Sequence, residues 1–504
     1  MNLLLIRKRW SHASENQPRL PRFQSGSGEA GDCVHTTSTI LWSGVNKSRE
    51  KRNNMDNPVF RTAPAVVSDR STCHTGAIAE SEKCSSPERR RLLKAETDKS
   101  LDAVVCGKPL KNSRPHFPVE NVSPMGLYIH VPFCASRCPY CAFVTNPYDE
   151  VGVARYVDSL IREIELWREW GFGRLRLADF SFDTIYFGGG TPSLLRPEQL
   201  SRILQALRSS FRITEPAETT LEINPGTAGV EDLLAFRRSR VNRASLGIQS
   251  LDDRELRLMG RSHTAGDALR AFETLRVAGF EDISVDLIAG YPGQSPSSLG
   301  ATLQRVIEFR PEHISIYLLE LKEHTRLAEQ VQRGQAPSVD DDLAADMYEN
   351  FCQTVTFAGY EHYEISNFAI PGHCSRHNLK YWSDALYVGL GVGAHGMTGR
   401  TRYANAEHLA RYEQMLQRGE FPFASVEELT PETRFKDALI MGLRLVEGVD
   451  LAVLGSRYGL DATAFVRQTV GDLVVEGLVA LEQNRVMLTS RGRLLSNVVF
   501  SRWV

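Results

Sequence analysis

Tyr128-Ile129-His130-Val131-Pro132-Phe133-Cys134-Ala135-Ser136-Arg137-Cys138-Pro139-Tyr140-Cys141 is the stretch from which the rest of the chain can be read. Three cysteines in the spacing C-x3-C-x2-C follow a short β-branched and aromatic run, Leu127–Val131, whose pattern makes it a strand. Soft thiolates select iron–sulfur clusters. Three of them can hold three irons of a [4Fe–4S] cluster and leave the fourth iron without a protein ligand. The spacing alone leaves a zinc reading open. Zinc wants a fourth ligand, no distant C-x2-C pair supplies one, and His130 would have to serve from the strand.

From this loop a strand–helix alternation runs outward. Strands are expected at Thr184–Phe187, Thr220–Ile223, Ala244–Ile248, Ile283–Ile288 and His313–Leu319. Helices are expected at Val153–Trp170, Pro197–Phe211 and Ala265–Ala278. Val153, Val157, Leu160, Ile161, Ile164 and Trp167 form the apolar stripe of the first. Six apolar runs separated by helices imply a parallel sheet with covering helices, an open, partial (β/α)6 barrel of TIM type. In such barrels the chemistry sits where the strands end. The unusual residues fall there: the cysteine loop, Gly188-Gly189-Gly190-Thr191-Pro192, Asn224-Pro225-Gly226, Gln249 and Gly290–Gly293.

An open iron is what a protein needs to chelate S-adenosylmethionine (SAM) and cleave it reductively. Glycines let the main chain approach the amino group and carboxylate of a bound methionine, though a tight strand–helix turn would also explain them. Glu222 and Asp286 lie within apolar strands. A buried carboxylate needs a partner, so each is either in an ion pair or a hydrogen-bond acceptor for SAM. Gln249 can reach the same ligand. Arg261 is either a forked clamp for a carboxylate or a surface arginine. Tyr128 and Tyr140 flank the cysteines and either pack on the ligands or fill core.

These segments together resemble the radical SAM superfamily and, within it, the HemN/HemW family: oxygen-independent coproporphyrinogen III oxidase and its relatives. The marks are YIHVPFCASRCPYCAF, IYFGGGTPS, LEINP, LGIQSLDDRELRLMGRSH, VDLIAGYPGQ and YEISNFA, and the likeness runs from about Met125 to Val504. It implies cluster ligands Cys134, Cys138 and Cys141. It also implies SAM contacts from Tyr128, Tyr140, Gly189, Gly190, Thr191, Glu222, Gln249, Arg261 and Asp286. The oxidases carry a further cysteine two residues after the third, where this chain has Phe143. That departure, and the string His377-Asn378-Leu379-Lys380-Tyr381-Trp382, resemble the heme-chaperone branch. The resemblance implies heme as cargo, an acceptor protein, and an electron donor such as a flavodoxin or ferredoxin. Oxidative decarboxylation of coproporphyrinogen III is the alternative. A heme site needs an axial ligand and an apolar slot. His362, His373, Cys374, His377 and His395 are candidates, with His377 first because it heads the H-N-x-x-Y-W string.

Composition bounds the rest. The 504 residues carry nine cysteines and no apolar run long enough to span a membrane. Cysteine usage fits a reducing compartment, and a cytoplasmic protein is expected. Residues 1–120 hold 20 Lys+Arg against 13 Asp+Glu, net +7, whereas the remainder is net −9. Residues 1–122 lack periodic apolar pattern and read as disordered, as a transit peptide, or as an extension ahead of a start near Met125. The remaining divisions expected are a core barrel over 123–360, a linker with the heme-region residues over 361–429, and a smaller α+β, winged-helix-like domain over 430–504. Acidic residues Glu447, Asp450, Asp461, Asp472 and Glu476 argue against nucleic acid as its partner. A dimer and peripheral contact with membrane heme enzymes complete the expectations.

Overall fold

The structure, a computed structural model, describes residues 123–170, 177 and 180–504; the expectations for residues 1–122 lie outside the described residues. The first strands are β1 (Met125–Val131), the two-residue β2 (Phe133–Cys134) and β3 (Asn146–Pro147), then β4 (Ser181–Gly189) and β5 (Arg212–Ile223). β6 (Arg243–Gln249), β7 (Asp282–Ala289) and β8 (His313–Leu318) follow. β1 and β4 to β8 lie side by side in chain order, all parallel, as the alternation predicts. β4, β5, β6 and β7 are longer than their apolar runs and take in polar residues such as Asp183, Glu218, Arg243 and Asp282.

The helix Glu150–Trp170 shows why the layers hold. Asp149 accepts the Gly152 N–H at 2.8 Å and opens it. Val153, Val157, Leu160, Ile164 and Trp167 then point one way and are fully buried against the sheet. Each such side chain contributes roughly 1.5–3 kcal/mol by leaving water. Within this buried stripe lies one carboxylate, Glu163, which is fully buried. The Glu163 carboxylate accepts from Tyr412 Oη at 2.6 Å, Asn405 Nδ2 at 2.7 Å and the Gly391 N–H at 2.8 Å.

The segment 361–429 is not a linker. β9 (Glu361–Glu364) and β10 (Asn367–Ala369) extend the sheet antiparallel beyond β8. β11 (Tyr387–Leu390) runs parallel beside β1, and β12 (His395–Thr398), β13 (Thr401–Asn405) and β14 (Phe423–Glu428) continue from it. The result is one sheet of 12 strands in the order β14-β13-β12-β11-β1-β4-β5-β6-β7-β8-β10-β9. The physical reason is edge pairing. Six parallel strands leave β1 and β8 with unpaired backbone groups, and β11 and β10 satisfy them.

The two faces of the sheet differ. Leu127, Ile129, Ile185, Phe187, Leu246 and Val285 turn outward to the helices and are buried. Residues at alternate positions turn inward and are polar or aromatic: Tyr128 beside Tyr186, Tyr186 beside Thr220, Glu222 beside Ser245, Asp286 beside Ser315.

The C-terminal part has its own core, including Phe435, Leu439, Val466, Val486 and Trp503. Its first helix begins at Pro431, where Thr430 Oγ1 accepts the Thr433 N–H and proline takes the first position. Helices Leu451–Tyr458 and Ala462–Val475 pack as a pair. β15 (Val449–Asp450), β16 (Val479–Glu482) and β17 (Arg485–Leu488) form the wing.

Candidate functional site

The cysteine loop is closed at its base. β2 pairs with β3, the Asn146 N–H reaches Pro132 O at 2.5 Å, and the Tyr148 N–H reaches Cys134 O at 2.9 Å. Between these ties Cys134, Cys138 and Cys141 are half-buried free thiols. Burial pushes the Cys134 and Cys141 thiols up. Thr191 Oγ1, 3.7 Å from Cys134 Sγ, and the Arg261 guanidinium favour the Cys134 thiolate, and Arg261 lies 3.7 Å from Cys138 Sγ. Among the described residues no three His, Cys, Asp or Glu side chains gather round a single-ion site. Ligands of separate irons in one cluster need no such convergence.

His130 is not a fourth ligand, which removes the support for zinc. It is buried with Nε2 2.9 Å from Val144 O and Nδ1 3.0 Å from Tyr128 Oη. A carbonyl only accepts, so Nε2 carries the proton and Nδ1 accepts from the tyrosine. Burial lowers its pKa, in keeping with a neutral ring.

The glycine run lies directly against the loop. The Gly190 N–H donates to Val131 O at 2.8 Å, and a Cβ at Gly190 would meet Phe133 O at 2.6 Å. Gly189 has φ +111°, and a Cβ there would strike the His130 ring at 2.6 Å. Both positions require glycine, one for space and one also for conformation.

Five elements bring the remaining residues together. At the end of β5, Glu222 accepts from the Gly189 N–H and from Tyr186 Oη, each at 3.1 Å. It sits deep in the barrel yet keeps part of its surface open to the interior. Burial and then the neighbouring Asp286 push its carboxyl up to about 7. Asp286 on β7 accepts from Ser245 Oγ at 2.8 Å and Ser284 Oγ at 3.3 Å, and burial raises its pKa also. Neither carboxylate is held in a close ion pair. Arg261 is no surface arginine: its Nη2 donates to Asn224 Oδ1 at 2.5 Å and Gly247 O at 2.9 Å. Gln249 sits at φ +69°, a conformation side chains rarely adopt, at a bulge between β6 and β7. Tyr128 stacks near Tyr186 at 6.3 Å. Tyr140 is further out, edge-on to Tyr291 at 5.9 Å and against Met259 and Leu327.

Asn224, marked in the sequence only as part of the turn that ends its strand, belongs to this group. Its Nδ2 donates to Thr191 Oγ1 at 2.9 Å, so it links Arg261 to the glycine run. The available signal was its place at a strand end, before Pro-Gly. Tyr186 was missed; its signal was the inward register beside Tyr128.

The heme candidates do not converge. His362 stacks on Phe368 at 4.1 Å. His373 is 3.7 Å from Asp282, and Cys374 is half-buried. His395 lies in β12. His377 is 1% exposed, with Nδ1 2.8 Å from Thr184 Oγ1 and Nε2 2.9 Å from Tyr381 Oη. Burial and then Lys380 push its pKa down to about 3. In this packing neither ring nitrogen is available to iron.

A parallel barrel, three loop thiols and a glycine run beside them define a radical SAM protein. The radical SAM superfamily model matches residues 128–306, and the HemN C-terminal domain model matches 429–495. The heme chaperone HemW of Mycobacterium tuberculosis is 36% identical over 75% of this chain and 94% of its own length. The Bacillus subtilis heme chaperone HemW is 34% identical over 75% and 98%. The mouse radical S-adenosyl methionine domain-containing protein 1, mitochondrial, is 37% identical over 67% and 76%. The solved coproporphyrinogen III oxidase (HemN) of Escherichia coli superposes with a TM-score of 0.66 at 25% identity. That match covers 76% of this chain and 90% of that one. The chain belongs to the HemW family.

Proposed function

We propose that the protein is a heme chaperone that binds heme and delivers it to acceptor proteins, on a scaffold holding a [4Fe–4S] cluster and SAM. The observation that carries the reading is Phe143, which stands where the oxidases have a fourth cysteine and is 63% exposed beside the cluster loop. Family membership points the same way, since the bacterial relatives described above are called heme chaperones.

Cys134, Cys138 and Cys141 would hold the cluster. The fit rests on their half-burial and on two donors, Thr191 and Arg261, placed against the sulfurs. Gly189, Gly190, Glu222, Gln249 and Asp286 would hold SAM, with Arg261 for its carboxylate. Tyr128 shapes the interior from β1, while Tyr140 supports the loop from outside. Bound in this way, cluster and SAM together supply one-electron reductive cleavage. The chain's own task is to orient the ligand. The ordered Glu222 carboxylate attracts a cationic amino group, and the glycine backbone accommodates the methionine moiety.

The likeness to HemN favours a second reading, oxidative decarboxylation of coproporphyrinogen III. One experiment separates the two. Full-length protein, reconstituted anaerobically with iron and sulfide, is titrated with heme and then given coproporphyrinogen III, SAM and reductant. Stoichiometric heme binding without protoporphyrinogen is expected; product formation without heme binding overturns the chaperone reading.

A flavodoxin or ferredoxin as electron donor, a dimer, a cytoplasmic location and peripheral contact with membrane heme enzymes form part of the proposal. Among the described residues no helix is long and apolar enough to cross a membrane.

A further inference from the structure

The H-N-x-x-Y-W string folds as one short helix, Arg376–Trp382, beneath the N-terminal ends of β1, β4 and β5. Its first turn is fixed by Glu218, whose carboxylate accepts the Arg376 and His377 N–H groups, each at 2.9 Å. Lys380 fastens the other side, 2.6 Å from Asp183 and 2.6 Å from Pro124 O. Between these anchors the His377 ring stacks on Tyr186 with centroids 5.2 Å apart and planes 28° apart. The Tyr186 hydroxyl donates to Glu222, and the other Glu222 oxygen accepts the Gly189 N–H. A continuous path of contacts therefore joins the floor of the barrel to the glycine run at its top.

We propose that His377 is a positioning residue rather than an axial heme ligand: it holds the Tyr186 ring, which holds Glu222 against the Gly189 backbone. The inference rests on the reading of Glu222 and Gly189 as SAM contacts. The contacts that His377 already makes exclude ligation. Coordination to iron would take Nδ1 from Thr184 or Nε2 from Tyr381 and draw the ring from beneath Tyr186. The packing opposes that movement from both sides. Trp382 lies under the Arg444 guanidinium at 4.4 Å, and Asp384 pairs with Arg434 at 2.7 Å, so the C-terminal domain closes the floor from outside. Without the ring beneath it Tyr186 can tilt, and Glu222 then loses one of its two hydrogen-bond donors in the barrel interior. A buried acceptor that loses a donor is costly, so the carboxylate moves to find another.

The test uses the full chain, anaerobically reconstituted, with SAM affinity, heme absorption spectrum and melting temperature read on each variant. His377→Ala is expected to weaken SAM binding roughly 2- to 30-fold while keeping the wild-type heme spectrum and stoichiometry. His377→Gln, which can hydrogen-bond to Thr184 and Tyr381, recovers part of the affinity. Loss of the heme spectrum with SAM affinity intact overturns the inference in favour of ligation. A lower melting temperature with unchanged SAM affinity overturns it in favour of a purely structural role. Glu222→Gln separates the two levels: if that variant binds SAM like wild type, the site reading fails and takes the inference with it. If Glu222→Gln weakens SAM and His377→Ala does not, only the relay fails. Should His377→Ala not fold, Tyr186→Phe decides. It deletes one hydroxyl, and unchanged SAM affinity in it overturns the relay.

Discussion

The two ends of the barrel are built on opposite principles. At the top, where the strands end, side chains and backbone are fixed against one another by loops: β2 on β3, Gly190 on Val131, Arg261 on Asn224 and Gly247. At the floor, a helix from a distant part of the chain is held by ion pairs and stacked rings, with the C-terminal domain behind it. The top offers groups to ligands: three thiols and two carboxylates without close ion pairs. The floor offers none, since His377 is held by Thr184 and Tyr381, Lys380 by Asp183, and Glu218 by backbone N–H groups. A histidine in a chemistry-bearing string is thus better judged by what its nitrogens already touch than by the string.

The largest effect expected lies at the top. Cys134→Ser, Cys138→Ser or Cys141→Ser should each abolish stable cluster assembly, read as iron and sulfide content, because a three-thiolate site has no spare ligand. The floor should tolerate the matching insult: His377→Ala keeps its full iron content. Retention of a cluster in two of the three serine variants would break the contrast.

At the floor the sensitive joint is ionic. Arg444 and Glu364 are both buried and lie 3.3 Å apart, with Trp382 on the guanidinium. Arg444→Ala leaves Glu364 charged and without its cation, which costs about 3–5 kcal/mol when a buried pair is broken. Denaturant unfolding should show that loss. A change below about 1 kcal/mol would mean that the C-terminal domain does not brace the helix, since exposed pairs are worth that little.

Glycines sharpen the comparison further. A Cβ at Gly190 would meet backbone on every near side: Phe133 O at 2.6 Å, Phe133 N at 2.9 Å and Val131 O at 2.9 Å. Backbone locked in β1 and β2 cannot yield, so Gly190→Ala should lose about 1–3 kcal/mol of stability. At the floor, the three atoms nearest to a Cβ at Gly126 would all belong to side chains, Lys380 Cδ at 3.0 Å and His377 Cε1 and Thr184 Oγ1 at 3.1 Å. These neighbours give by a few tenths of an ångström, so Gly126→Ala should cost less than Gly190→Ala. The reverse order in melting temperature would contradict a rigid top and a compliant floor.

The same contrast explains what the sequence discloses. The parallel strands, the thiol spacing and the glycine run are local signals: apolar runs of period two or continuous, and residues at strand ends. They were legible. β9 to β14 were not, because they are three to six residues long and rich in Gly, Tyr and His. Their pairing is dictated by the free edges of β1 and β8, which no local pattern reports. Asn224 was visible at its strand end but its role was not, because a polar residue before Pro-Gly reads as a turn. Only the folded sheet shows that its amide joins Thr191 to Arg261. His377 shows the opposite case: its neighbour Tyr381 reads as part of a slot for a macrocycle, and in the fold it packs edge-on against the His377 ring and meets its Nε2.

The smallest effect expected is also the one in which two trends oppose. Glu222 has its carboxyl pushed up to about 7 from an ordinary 4.5, by burial first and Asp286 second. A raised pKa in the folded state means that the neutral carboxyl contributes stability fully below about 4.5, and that this contribution is lost as pH rises through about 7. Glu163, pushed up to about 7 by burial, acts in the same sense. Stability of the ligand-free protein should therefore fall between pH 6 and 8, and Glu222→Gln should reduce but not abolish the fall. SAM affinity should run the other way. Its amino group is drawn to the carboxylate, and the ionised fraction of Glu222 rises from about one-tenth at pH 6 to about nine-tenths at pH 8 for a pKa near 7. Affinity should rise by about ninefold at most across that window if only the ionised form binds, and Glu222→Gln should flatten the profile. His377→Ala should keep a slope while lowering the whole curve, because the floor positions the carboxylate without supplying its charge. A flat wild-type profile would remove Glu222 from the ligand and leave it as a brace for the Gly189 turn.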